Sequence, residues 1–283
     1  MRPRPSPMSA LGVWAAMAAL FICGATEAQT IIPVSQERYI STDVDAEHCG
    51  SSVESDAAKG FEPFFNFIQT IHDCDLSFVY GAAAQQSQID LNSMTAMGFA
   101  VADAAAGIPS VIHAFTDSIF EVTFELPSAS EFALGGMLRA AGGEPILWSV
   151  AFVRLVGPGG DLIFEHTAAP GPNGEPKIER IEQTGGLEPG QYTLQAEASV
   201  GIDSEVPPRA SGETLFDFTF EVAAACPWDL DDSESVGVPD LLSLLGSWGP
   251  CPKKGDCPAD FDASGDVGVK DLLTLLGNWG PCP

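Results

Sequence analysis

The sequence predicts a mainly β protein: one β-sandwich of Greek-key or jelly-roll type, followed by a small α-helical unit. Two observations predict the sandwich, since short β-rich runs recur from residue 77 onward and glycine- and proline-rich turn signals separate them. A sequence repeat near the C-terminal end marks the helical unit. We therefore expect an export signal over residues 1–28, the sandwich over 29–225 with 29–76 partly irregular, and the repeat unit over 226–283.

The first 28 residues have the three parts of a secretory signal. Arg2 and Arg4 form a basic start, Ala10 to Ile22 form an apolar stretch of 13 residues, and Ala28 ends a small-residue cleavage sequence. The apolar stretch is too short to span a bilayer. We expect a secreted protein, extracellular or at the cell surface, without a membrane span.

The formal net charge of the chain is −27 at pH 7. A surface with this excess of carboxylates repels nucleic acids and anionic membranes. We therefore expect neither as a partner, whereas cations suit such a surface.

The beginning of the sandwich region is ambiguous. Ser41 to Gly60 is rich in Ser, Asp, Glu and Ala, which favours a solvated loop. The aromatic run from Phe61 to Ile71 is expected to pack along a sheet edge, mainly as core filler.

The later strands are predicted from period-two alternation and β-rich composition. They are Ile119–Leu126, Ile146–Val156, Asp161–His166, Ile178–Glu182, Gln191–Val200 and Thr214–Val222. Leu187 to Tyr192 is typical of a turn into a strand, with the Tyr192 hydroxyl donating back to the backbone. Trp148 lies in a run whose composition predicts burial.

The C-terminal repeat carries a calcium-ligand spacing. Residues 226–252 and 257–283 align without a gap and are identical at 19 of 27 positions. A twelve-residue calcium loop takes oxygen ligands from positions 1, 3, 5, 7, 9 and 12. The candidate ligands are Asp229, Asp231, Ser233, Ser235 and Asp240 in the first loop, and Asp260, Asp262, Ser264, Asp266 and Asp271 in the second. The sequence therefore predicts two Ca²⁺ sites.

The two loops differ at position 6, where a calcium loop needs a sharp turn. Gly265 supplies that turn in the second loop, but Glu234 stands there in the first. A non-glycine residue with positive φ costs about 1 kcal/mol, so we expect the second site to bind more tightly. Val236 and Val267 at position 8 are expected to pair the two loops through a short β-bridge.

One short amphipathic helix is predicted after each loop. These helices cover Asp240–Leu245 and Asp271–Leu276, and each carries four leucines. Gly246 and Gly277 are predicted to cap their C-terminal ends. Each repeat is therefore half of an EF-hand.

The C-terminal unit resembles a type I dockerin, in the variant found in secreted planctomycete-type bacterial proteins that end in Trp-Gly-Pro-Cys. The resemblance covers residues 226–283, about a fifth of the chain. It implies a non-catalytic calcium module that joins an extracellular protein, often a polysaccharide-degrading enzyme, to a cohesin partner. It thus implies a docking, adhesion or scaffold role in a setting of polysaccharide catabolism.

Six cysteines remain once the signal containing Cys23 is removed, and export makes disulfides the default interpretation. The equal spacing within each repeat favours local pairs, although four cysteines allow three pairings. The expected bridges are Cys226–Cys251, Cys257–Cys282 and Cys49–Cys74. An alternative for the last pair is a zinc site formed with His48 and His72.

The sequence shows no catalytic constellation, since it contains neither G-x-S-x-G nor H-E-x-x-H. Glu121 and Glu125 alternate with apolar residues, as on a solvated sheet face. Two alternatives to a non-catalytic docking protein remain. One is a carbohydrate-binding accessory protein with exposed aromatics on the sandwich. The other is a glycoside hydrolase-associated enzyme, which needs two close carboxylates.

Overall fold

The computed structural model describes residues 31–47, 50–74, 77–106, 111–142, 148–204, 209–224, 226–231, 233, 235–252, 257–262 and 264–282. The predicted export signal lies outside the described residues. Cys49 and His48 also lie outside them, so the Cys49–Cys74 bridge and the zinc alternative both stay predictions.

Twelve strands form the large body of the described chain, and all their pairings are antiparallel. The strands are β1 Ile32–Ala46, β2 Gly50–Ala57, β3 Phe64–Cys74, β4 Ser77–Ile89, β5 Ser93–Ala106, β6 Ile112–Leu126, β7 Ser130–Gly142, β8 Trp148–Val156, β9 Leu162–Ala168, β10 Lys177–Leu187, β11 Gly190–Ser204 and β12 Ala210–Ala224. Sheet A has the order β2-β1-β6-β11-β8-β9, and sheet B has the order β10-β7-β12-β5-β4-β3. The mainly β class is confirmed, and the two packed sheets fit a sandwich.

Alternation of side chains explains why these runs form strands with one buried face. Along β6, every second residue from Ile112 to Leu126 is buried, and the residues between them face outward. Phe120 of sheet A meets Phe218 of sheet B edge to face, with ring centroids 5.4 Å apart. The core therefore lies between the sheets. Four of the predicted strand runs fall within β6, β10, β11 and β12, and the other two overlap β8 and β9.

Small residues allow the two sheets to approach closely at β5. A Cβ atom at Gly98 would lie 2.3 Å from the Ser118 hydroxyl and 2.4 Å from the Phe216 ring. The glycine is therefore required by packing between the sheets.

The expectation of an irregular start to the sandwich is wrong. Ser41–Gly60 contains the end of β1 and all of β2, which form an antiparallel hairpin. Ser41, Asp43 and Asp45 of β1 point outward, while Thr42, Val44 and Ala46 between them are buried, so a polar composition is compatible with a strand.

The aromatic run forms β3, an edge strand of sheet B, as predicted. Its role as core filler holds only in part, because Phe64 is buried while Phe65 and Phe67 are exposed. Successive residues of a strand point to opposite faces, which separates neighbouring phenylalanines.

The tyrosine-corner prediction is confirmed. The hydroxyl of Tyr192 donates to the Glu188 carbonyl at 2.8 Å, and the side chain is buried. Its ring stacks on Phe124, so the contact fixes the entry into β11.

Candidate metal centre

The C-terminal repeats form a small unit with its own apolar cluster, which includes Val236, Leu244, Val267 and Leu275. Its elements are β13 Ser235–Val236, α1 Val238–Gly246, β14 Gly249–Pro250, β15 Asp266–Val267, α2 Val269–Gly277 and β16 Gly280–Pro281. Both helices begin two residues earlier than predicted. Among the described glycines with positive φ are Gly249 and Gly280 but not Gly246 or Gly277, so the capping prediction is wrong. Each helix instead ends on a helical glycine.

The two loops do not pair with each other, contrary to the prediction. Val236 pairs with Gly280 and Val267 pairs with Gly249, so each loop is bridged to the Gly-Pro end of the other repeat. Both valines are buried in the cluster between the repeats. The C-terminal Gly-Pro strand of each repeat thus pairs with the loop of the other repeat, and we call this arrangement the exchanged ends.

This exchange overturns the predicted pairing of the tail cysteines. The disulfides are Cys226–Cys282 and Cys251–Cys257, with Cα–Cα distances of 5.7 and 5.8 Å. Because β16 lies beside the first loop and β14 beside the second, each terminal cysteine meets the first cysteine of the other repeat. Cys226–Cys251 and Cys257–Cys282 are thus both wrong. Disulfides of this kind are typical of an oxidising compartment.

The first loop gathers three of its predicted carboxylates. The ligand oxygens of Asp229, Asp231 and Asp240 lie within 4.8 Å of one another. Asp240 is buried, and its two oxygens accept the backbone N–H groups of Leu230 at 2.7 Å and Gly237 at 2.6 Å. The carboxylate at position 12 therefore connects the start of the loop to the start of α1.

The second loop repeats this arrangement with Asp260, Asp262 and Asp271, again within 4.8 Å of one another. Asp271 is buried and accepts the N–H groups of Phe261 at 2.8 Å and Gly268 at 2.7 Å. The first and last carboxylates therefore occupy equivalent places in both repeats.

The glycine turn predicted for the second loop is confirmed. Gly265 has a φ of 90°, and its N–H donates to Asp260 at 2.9 Å. Its counterpart Glu234 lies outside the described residues.

The remaining predicted ligands also lie at the loops. The hydroxyls of Ser233 and Ser264 donate to the carbonyls of Ser235 and Asp266, each at 3.1 Å. These carbonyls are the position-7 oxygens of the predicted ligand set. The acidic clusters can thus hold a metal ion, and their all-oxygen donors suit a hard cation.

One difference separates the electrostatics of the two loops. Lys270 forms an ion pair with Asp262 at 3.2 Å, whereas Pro239 occupies the equivalent position in the first repeat. Hydrogen bonds from Ser264 and Lys270 hold the pKa of Asp262 below its ordinary value. The lysine therefore partly neutralises the second loop before any cation enters.

Each repeat also exposes the same apolar side chains beside its loop. Leu242 and Leu273 are 64% and 63% exposed, and Trp248 and Trp279 are 47% and 46% exposed. Val238, Leu245, Val269 and Leu276 continue the two rows. We call these rows the paired apolar rows, and the same exposed apolar side chains in both repeats make them candidate contact surfaces.

Comparisons with known proteins do not identify the chain. No protein-family model matches it, and no curated protein is similar to it. Among solved structures, it is similar to the enzymatically active domain of bacteriophage CBA120 tailspike protein 4, with 11% identity over 56% of this chain and 19% of that chain and a TM-score of 0.20. The infectious bursal disease virus Gx strain structure matches at 10% identity over 70% of this chain and 79% of that chain, with a TM-score of 0.19. A GH31 α-xylosidase from Xanthomonas citri matches at 10% identity over 70% of this chain and 33% of that chain, with a TM-score of 0.15.

The chain thus spans about a fifth of the tailspike chain. Scores of this size carry no functional argument. Separately, none of the helices in the described part of the chain is long and apolar enough to cross a bilayer.

Proposed function

We propose that this is a secreted calcium-binding protein, whose dockerin-like C-terminal unit docks it non-catalytically to a cohesin-like or other extracellular partner. The observation that carries the proposal is duplication: two equivalent carboxylate clusters lie beside two equivalent exposed apolar rows. The setting of polysaccharide degradation rests on the dockerin resemblance alone.

Calcium is the cation that the donor set supports best. Carboxylates, serine hydroxyls and backbone carbonyls are hard oxygen donors, and the loops contribute no histidine. A bound divalent ion also offsets the mutual repulsion of three carboxylates within 4.8 Å of one another. Calcium binding is therefore expected to stabilise the fold of the unit.

The paired apolar rows support docking. A soluble unit of this size gains nothing from exposing two leucines and a tryptophan in each repeat unless another surface covers them. Trp side chains at the centre of a contact contribute strongly to binding when water is excluded, and the leucines add apolar area to the contact. Because the rows are duplicated, either repeat offers the same surface.

The metal half of the proposal is tested by calorimetric titration of CaCl₂ into EDTA-stripped protein, residues 29–283. We expect two binding events, with Asp229→Asn removing one and Asp260→Asn removing the other. Asp161→Asn is the matched control, because it removes one exposed carboxylate from the sandwich. Heat of binding that is the same in all four proteins would reject the loops as the calcium sites.

The docking half is tested with a type I cohesin domain as the probe, by biolayer interferometry in calcium and in EDTA. We expect binding in calcium that is lost in the double variant Leu242→Ser, Leu273→Ser. Leu162→Ser is the control, since Leu162 is a comparably exposed leucine of the sandwich at 57%. Absence of cohesin binding in calcium would count against the dockerin-like role while leaving the metal sites intact.

A further inference from the structure

The outer face of sheet A carries a strip of aromatic and carboxylate side chains that the C-terminal unit does not explain. Trp148, Val150, Phe152 and Arg154 follow one another along the outward face of β8. Opposite them on β11 stand Gly201, Ser199, Glu197 and Gln195, in that order. Successive outward residues are separated by two positions, so the strip from 148 to 154 is about 20 Å long. This length suits an extended ligand better than a compact one.

Trp148 forms a fixed aromatic plate at one end of the strip. It is 43% exposed, contrary to the burial expected from its sequence context. Its ring stacks on Phe115 with a centroid distance of 5.3 Å and an interplanar angle of 13°. Its Nε1 donates to the Ser199 hydroxyl at 2.9 Å. The exposed indole is thus ordered before any ligand arrives, which lowers the entropic cost of binding.

Gly201 creates the space in which the indole lies. A Cβ atom at this position would stand 2.6 Å from two atoms of the Trp148 ring. Because Gly201 pairs with both Trp148 and Phe115 in the sheet, its missing side chain allows the two rings to meet over β11. The sheet is therefore locally shaped to hold an aromatic pair.

Two carboxylates follow the aromatic plate along the strip. Asp117 accepts from Ser199 at 2.6 Å and from Ser41 at 3.3 Å. Glu197 lies one step further along β11, and burial raises its pKa, with the charge of Asp117 raising it further. The partners of Asp117 are neutral hydroxyls, so it keeps acceptor capacity for additional donors.

An open groove of about 220 Å³ continues from Glu197 to the other end of the strip. Tyr39, Phe152 and Arg154 line it, and the Arg154 guanidinium lies 5.2 Å from the centre of the Phe152 ring. The strip therefore presents the Trp148 ring at one end and Asp117 in the row of Val150. Phe152, Glu197 and Tyr39 share the next row, before the polar end at Arg154.

We propose that this strip of sheet A binds an extended, uncharged polysaccharide chain. The C–H faces of pyranose rings match the exposed aromatic surfaces, and their hydroxyls can donate to Asp117 and Glu197. Uronate or sulfate groups are disfavoured, because Glu37, Glu121 and Glu197 outnumber Arg154 in the groove and Asp117 lies beside it. The site lies on the sandwich, so it does not depend on the docking function proposed for the C-terminal unit.

The experiment is affinity gel electrophoresis of the full mature chain in gels containing xyloglucan, barley β-glucan, galactomannan or hydroxyethylcellulose. Polygalacturonate serves as the anionic comparison. We expect retardation by at least one uncharged polysaccharide and none by polygalacturonate. Trp148→Ala should abolish the retardation. Asp117→Asn and Glu197→Gln, which preserve side-chain shape, should each weaken binding by about tenfold or more.

Trp279→Ala is the matched control, because Trp279 is 46% exposed but lies on the C-terminal unit. It should leave the retardation unchanged. The proposal is overturned if none of the uncharged polysaccharides retards the protein, or if Trp148→Ala leaves retardation intact while circular dichroism shows a folded variant. A fluorescence change on adding tetramethylammonium that disappears in Trp148→Ala, without any glycan retardation, would instead identify a cation site and equally refute it.

Discussion

The two disulfides of the C-terminal unit should contribute unequally to its stability, because they close loops of very different length. Cys226 and Cys282 are separated by 56 positions, and Cys251 and Cys257 by 6. In the chain-entropy model these loops correspond to about 4 and about 2 kcal/mol of stabilisation at 25 °C. Local pairing within each repeat would instead give two equal terms of about 3.5 kcal/mol. An asymmetry of about 2 kcal/mol is therefore the signature of the exchanged ends.

The perturbation is a pair of double variants, Cys226→Ser with Cys282→Ser, and Cys251→Ser with Cys257→Ser. Urea unfolding of the mature chain in calcium is followed by tryptophan fluorescence in a Trp148→Phe background. The remaining tryptophans, Trp228, Trp248 and Trp279, then report the free energy of unfolding of the C-terminal unit. We expect the first variant to lose about 2 kcal/mol more than the second. Equal losses would refute the reasoning from loop length.

The connectivity itself can be tested by trypsin digestion without reduction. Lys253 and Lys254 lie between the repeats, and Lys270 lies within the second. With the observed bridges, the peptide covering residues 210–253 stays joined to both later peptides. If mass spectrometry instead finds this peptide unlinked to the other two, the cysteines pair within each repeat, which would contradict the structure.

Two further predictions concern single side chains. Gly265→Ala should cost about 1 kcal/mol at a φ of 90°, and so weaken calcium binding at the second loop about fivefold, as measured by calorimetry. An unchanged calcium affinity at the second loop would show that a side chain at position 265 does not strain the turn. Asp217 has a raised pKa because it is partly buried, so the folded state holds its proton more strongly than the unfolded state does. Its contribution to stability therefore declines as pH rises through that raised pKa, and Asp217→Asn should stabilise the protein at pH 7 but not at pH 3 in urea unfolding. If Asp217→Asn raised the free energy of unfolding equally at both pH values, the raised pKa of Asp217 would not be the cause.

Period-two alternation was sufficient for the later strands of the sandwich but not for the alanine-rich ones. The alternating run from Ile119 to Leu126 lies within β6 as predicted. By contrast, β5 is rich in Ala, a residue with low β-propensity, and no individual strand was predicted there. Close approach of the opposite sheet at Gly98 favours small side chains, and local sequence does not show which strand will lie opposite.

The outward direction of Trp148 was missed for a related reason. Its run is apolar enough to predict burial, yet β8 belongs to sheet A with one face toward the core and one toward solvent. Which residues take the outer face depends on the register with β11, where Gly201 accommodates the indole. The signal that could have found it is the spacing of Trp148, Phe152 and Arg154 on one face of a strand.

The sequence by itself determined the carboxylate clusters of the C-terminal loops, because their ligands lie within twelve residues and a sharp turn brings them together. It likewise determined the tyrosine corner, whose donor and acceptor are four residues apart. Only the tertiary structure decided the disulfides, since the cysteines could pair in several ways until β14 and β16 crossed to the other repeat. The tertiary structure also decided which residues form the sheet A strip. Residues from different strands become neighbours only through the register in which those strands pair. Local spacing fixes local geometry, whereas contacts across long separations depend on how the whole chain packs.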